Sequence, residues 1–150
     1  MHPHELQLGF LKVLPGTPIE KQAEKYALVH EDNPPYEIIS TADISFAELA
    51  RLKNIELVLE YYSPESFGNA LELLLKKYPA PYDFFDALAQ YFEENGLNKT
   101  PHHKAKLYGF LHEFAGEEIT LALAKDFSYV KCRRALARMG KTASYGNQER

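Results

Sequence analysis

At 150 residues, with 45% hydrophobic and 25% charged side chains, the chain has the size and composition of one folded domain with its own core, which excludes global disorder. A formal net charge of −4 removes any whole-chain case for nucleic acid, and a lone cysteine, Cys132, removes a disulfide framework and suits a reducing cytoplasm. No apolar run reaches the length of a membrane span, and the start lacks the basic and apolar regions of a secretory leader.

The first predicted element is a strand over residues 5–14. Its apolar run, closed by Pro15-Gly16, lacks the polar alternation of a half-solvated strand and reads as buried on both faces of a larger sheet. No comparable run follows closely, so the expectation is that its sheet lies in a scaffold outside these residues. Thr17-Pro18 then offers a cap and a proline at the first helical position, with Glu20 completing a capping box, and predicts a helix over 18–28. Strand, turn and helix together make half of a βαβ unit.

Residues 31–35 are polar and proline-rich and read as a loop, and 36–41 are β-prone. Ser45 to Glu48 is the clearest helix start in the chain, and Leu49, Leu52, Ile55, Leu59 and Tyr62 follow at core spacing over 46–62. After Ser63-Pro64, a helix over 65–78 carries Phe67, Leu71, Leu74 and Leu75. Pro81 opens the next, with Phe84, Phe85, Leu88 and Phe92 inward and Gly96 as its C-cap. Thr100-Pro101 precedes a helix with Leu107, Phe110, Leu111 and Phe114 on one face, ended by Gly116. A last helix over 117–139 places Ile119, Leu123, Phe127 and Val130 inward, and the tail, 140–150, has no apolar period. The fold class expected is mainly α: about five helices, bundle-like, behind a short β-α element. The division is 1–30 for the β-α unit, 31–139 for the helical domain and 140–150 for a flexible tail.

Few side chains form a chemical constellation. His2 and His4 straddle a proline without a third ligand, and His103 and His112 miss the one-turn spacing of helical zinc sites, so solvated histidines are the better reading. Cys132 stands among Lys131, Arg133 and Arg134, which would lower its pKa, yet burial is the commoner fate of a lone thiol. Residues 131–141 hold Lys131, Arg133, Arg134, Arg138 and Lys141 and no acid. A solvated helix end, where cations meet the negative pole of the dipole, is preferred to an RNA contact because that run has no interleaved aromatics. The strand-to-helix turn at Pro15, Gly16 and Thr17 could present backbone amides to an anion.

The stretch from Leu6 through Pro15-Gly16-Thr17-Pro18, then Pro34-Pro35-Tyr36-Glu37, Ser40-Thr41 and Ile44-Ser45-Phe46-Ala47-Glu48-Leu49, resembles bacterial cobalamin-binding radical S-adenosylmethionine proteins. In that family the stretch closes the partial barrel and leads into a C-terminal domain of unknown function. The resemblance is specific over residues 5–62 and diffuse to about 139. It implies a parent protein using a [4Fe–4S] cluster, S-adenosylmethionine and, as a further candidate, cobalamin. The family's cluster motif, Cys-x-x-x-Cys-x-x-Cys, is not met by Cys132 alone, so this chain is expected to hold none of these cofactors and to be inert by itself. Only Pro15, Gly16 and Thr17 would approach the cofactor region. The expected role is that of a C-terminal accessory fragment of a cytoplasmic Fe–S oxidoreductase, with the barrel as partner. The alternatives are an interaction module that dimerises through residues 6–14 and an RNA-contacting domain through 131–141. No membrane partner is expected.

Overall fold

The structure, a computed structural model, describes residues 8–131. It is mainly helical, with one small antiparallel sheet, as the apolar spacing of the sequence predicts. The helices are α1 (Pro18–Lys21), α2 (Phe46–Tyr61), α3 (Pro64–Leu75), α4 (Pro81–Glu94), α5 (Lys104–Ala115) and α6 (120–131). Short 3-10 turns at Leu97–Lys99 and Glu117–Ile119 lead out of α4 and into α6. The described residues fall into two compact units, 8–60 with 85–100, and 61–84 with 101–131.

In the first unit, β1 (Val29–His30) pairs antiparallel with β2 (Ile38–Ser40). The apolar run read as a long strand is not one: within its described part, Lys12 alone forms an isolated antiparallel bridge, to Glu37. The Val13 amide donates to the Tyr36 carbonyl at 2.9 Å and the Ile38 amide to the Leu11 carbonyl at 3.1 Å. The run therefore finds a partner inside the chain, contrary to expectation. The pairing is short because Pro34 and Pro35 have no amide hydrogens to extend the ladder on one side. On the other side Thr41 starts a turn, its Oγ1 accepting from the Asp43 and Ile44 amides, each at 3.0 Å. Val13 is buried, while Leu11 and Leu14 are each 47% exposed.

The helix predicted over 18–28 stops at Lys21. None of the residues of α1 is buried, so no packed face repays its continued nucleation, and the chain goes on through tighter turns. By contrast α2 begins where its capping box lies. The Ser45 amide donates to Glu48 Oε2 at 2.8 Å and the Glu48 amide to Ser45 Oγ at 3.3 Å. Leu49, Ile55 and Val58 of α2 are buried, as are Leu88, Ala89 and Phe92 of α4. Gly96, left-handed at φ 65° and ψ 20°, ends that stretch.

The second unit takes its core from α3, the first turn of α4, α5 and α6. Tyr62, Phe67, Leu74, Phe84, Leu111 and Ile119 are its most deeply buried large side chains. α3 is two helical pieces joined at Phe67, whose φ of −132° and ψ of 22° break the helical path. Asn69 bonds Asp126 and Lys77 pairs with Glu118, so α3 and α6 run antiparallel. α5 and α6 form a helical hairpin about Gly116, tied by His112 Nε2 and Thr120 Oγ1 at 2.9 Å. One core expectation fails: Phe127 is 38% exposed, because its ring lies beside Tyr108 at the flank of that hairpin.

Candidate functional site

Pro15, Gly16 and Thr17 lie at an exposed or half-exposed turn. Gly16 takes φ 80°, the freedom for which glycine is suited, and Thr17 Oγ1 donates to the Leu14 carbonyl at 2.6 Å. The Gly16 amide donates to Glu20 Oε2 at 2.7 Å. The spacing of Glu20 predicts a capping box onto Thr17, but its carboxylate reaches one residue further back. An incoming anion would have to displace that carboxylate, and a helix of four residues adds little dipole to attract it.

The first unit has an open groove between α2 and α4, with a volume of about 470 Å³. Alanines 47, 50 and 89 contribute small side chains to its lining, which makes the room. Its polar rim is paired within itself. Arg51 makes a two-pronged ion pair with Asp86, and Asn54 Nδ2 donates to Glu93 Oε2 at 3.2 Å. Asn98 Nδ2 in turn donates to Asn54 Oδ1 at 3.1 Å. Elsewhere in this unit Lys53 Nζ donates to Glu37 Oε2 at 2.6 Å and holds the Glu37 carboxyl below its usual range. Glu56 shifts the other way: burial raises its pKa, and the charges of Glu60 and Glu37 add to the effect.

The second unit holds the most buried polar cluster that the structure describes. Asp126, only 4% exposed, accepts from the Asn69 amide at 3.0 Å, Asn69 Nδ2 at 2.7 Å and the Ala70 amide at 3.0 Å. It thereby caps, from another helix, the restarted portion of α3 just past the break at Phe67. Ser66 on the near side of the break is also buried. Its Oγ accepts from Lys104 Nζ, and its carbonyl accepts from the Tyr108 hydroxyl at 2.8 Å. These groups satisfy one another, and their chemistry is that of a joint: they hold a broken helix against α5 and α6. None of these residues was singled out in the sequence, although Asp126 stands on the apolar face marked by Ile119 and Leu123, an acid where a core residue belongs.

Among the other histidines, His102 rests edge-on against Tyr61 and Phe110, with ring centres 6.1 and 5.0 Å away. His30 Nδ1 lies 3.0 Å from the Glu31 carbonyl. Among the described residues, no three His, Cys, Asp or Glu side chains gather as a metal would need, and no helix is long and apolar enough to cross a membrane. His2, His4, Cys132 and residues 132–141 of the basic run lie outside the described residues.

A family model described as a protein of unknown function, DUF4080, matches residues 24–142. No curated protein and no solved structure matches the chain.

Proposed function

The chain belongs to the DUF4080 family of proteins of unknown function, and from that membership we propose that it is the C-terminal accessory domain of a radical S-adenosylmethionine protein of the cobalamin-binding class. In this role it packs on the catalytic barrel and controls what reaches it, and the redox chemistry belongs to the barrel. What carries the reading is the position of the family match together with the segment before it. The match begins at residue 24, and just ahead of it Leu11 and Leu14 stay half exposed on an extended stretch. Half-exposed leucines on such a stretch are apolar surface that a neighbouring body can cover. A helical cover that excludes water and oxidants is what radical intermediates need.

The cofactors of that class do not fit this chain's own residues. A [4Fe–4S] cluster takes several thiolates, and the sequence has one cysteine. The Pro15-Gly16-Thr17 turn has already committed the Gly16 amide to Glu20. The assignment therefore makes this chain a positioning and shielding element.

The reading frame upstream in the source genome tests the first part. A continuous frame with a Cys-x-x-x-Cys-x-x-Cys motif is expected, and a frame without clustered cysteines overturns the proposal. In the joined protein, Leu11→Asp with Leu14→Asp is expected to hasten loss of the cluster's visible absorbance in air while circular dichroism is unchanged. An unchanged decay rate would remove the shielding role.

A further inference from the structure

The extended run at the start of the first unit is bonded on one side only. Its inner side meets β2: the Val13 amide donates to the Tyr36 carbonyl at 2.9 Å, and the Ile38 amide to the Leu11 carbonyl at 3.1 Å. Lys12 lies between those bonds and pairs antiparallel with Glu37. In such a pair the flanking residues carry the ladder, so the main-chain amide and carbonyl of Lys12 point away from β2. Glu37 shows the same alternation, its carbonyl turned from Lys12 to accept from the Glu31 amide at 2.9 Å. β2 therefore lies between β1 and the run, and Lys12 stands on the outer edge. Among the described residues, neither its amide nor its carbonyl finds a hydrogen-bond partner. Lys12 is exposed, and Leu11 and Leu14 are each 47% exposed.

Resting on the reading of this chain as a domain that docks on a neighbour, we propose that the edge at Lys12 takes up an extended strand of that neighbour, through main-chain bonds to the Lys12 amide and carbonyl. An outward donor and acceptor on one residue match an extended backbone, which offers both at the same spacing. A helix does not, because its own amides and carbonyls are already bonded to one another. An open edge is a liability that native sheets pair or cover, and the half-exposed leucines add apolar contact to the same event. A second copy of the chain fits less well. In the symmetric register centred on Lys12, two ammonium groups would stand opposite each other.

Amide hydrogen exchange of the 150-residue chain and of the joined protein is the test. In the chain alone the Lys12 amide should exchange faster than those of Val13 and Ile38, which are bonded. In the joined protein it should slow by about tenfold, the scale of one main-chain hydrogen bond. Lys12→Pro removes the outward amide hydrogen, a change that an edge strand tolerates. Circular dichroism of the chain alone should therefore hold, while the cluster absorbance of the joined protein should fade faster in air. Lys12→Gln keeps the amide and should match the unsubstituted protein in both. A Lys12 amide already protected in the chain alone, or one that exchanges equally fast in the joined protein, would overturn the strand contact. If Leu11→Asp with Leu14→Asp hastens fading and Lys12→Pro does not, the domain docks without strand addition and only this proposal fails. An upstream frame without clustered cysteines removes both.

Discussion

Asp126 sits where the helical period asks for an apolar side chain, and it is kept there by three donors. Removing its carboxylate strands the buried Ala70 amide and the part-buried Asn69 amide, so Asp126→Ala should destabilise the protein by about 2–4 kcal/mol. Asp126→Asn keeps one oxygen as acceptor and should cost less than half as much. Urea unfolding measures both, and amide exchange at Asn69 and Ala70 should quicken more than elsewhere in α3. Equal, small losses would mean that the restart of α3 does not depend on this cap. Glu56 makes the opposite case. Its folded-state pKa is raised by burial and by Glu60 and Glu37 above the ordinary glutamate value of 4.5. Folding therefore favours its protonated form, and the stability tied to that form is present below the unfolded-state value and lost as pH rises through the folded one. Glu56→Gln should raise the midpoint of thermal unfolding at neutral pH, and the gain should vanish in acid below 4.5. A variant that is less stable at neutral pH would contradict this account.

Helix ends were legible because their signals are local. Ser45 with Glu48, Pro64, Pro81, Gly96 and Gly116 mark boundaries within a residue or two of where the elements start and stop. The break in α3 was not legible, since the acid that stabilises it comes from 57 positions away. The first sheet segment misled for a similar reason: an apolar run reads alike whether its partner is a distant barrel or residues 36–38. α1 misled because good start signals do not extend a helix that buries nothing. The two helix-ending glycines, though alike in sequence role, differ in backbone. Gly96 at ψ 20° is ordinary left-handed geometry, whereas Gly116 at φ 82° and ψ −170° lies in a region open only to glycine. A Cβ at either position meets nothing within 4 Å, so the difference is purely conformational. Gly96→Asn should be nearly neutral and Gly96→Ala cost about 1 kcal/mol, while Gly116→Ala should cost about 1–3 kcal/mol. Chemical unfolding of the three variants checks the order, and equal costs for the two alanine variants would refute it.

For the molecule as a whole, the helical class and most of its core positions followed from spacing, while the polar cluster around Asp126 did not, because it is assembled from three helices. The same holds for the exposure of Leu11 and Leu14. Without a partner strand, residues 6–14 would favour dimerisation by strand pairing. With Leu11 and Val13 bonded to Ile38 and Tyr36, the backbone motive is reduced and the apolar one remains. Covering the exposed half of one leucine yields about 1 kcal/mol, so the four in a symmetric pair give about 4 kcal/mol. Association of free molecules costs about 4–15 kcal/mol before any contact is made. The leucines alone do not sustain a dimer at micromolar concentration. Tethered to a neighbouring domain, the same surface would meet an effective concentration near millimolar, roughly a thousandfold above micromolar free chain, so the same leucines would count for more there than in self-association. The expected outcome is a monomer in sedimentation velocity at tens of micromolar protein, unchanged by Leu11→Asp with Leu14→Asp. A concentration-dependent dimer that this double substitution abolishes would show that self-pairing is the use of this face, and would turn the functional reading from a domain cover to a homodimer contact.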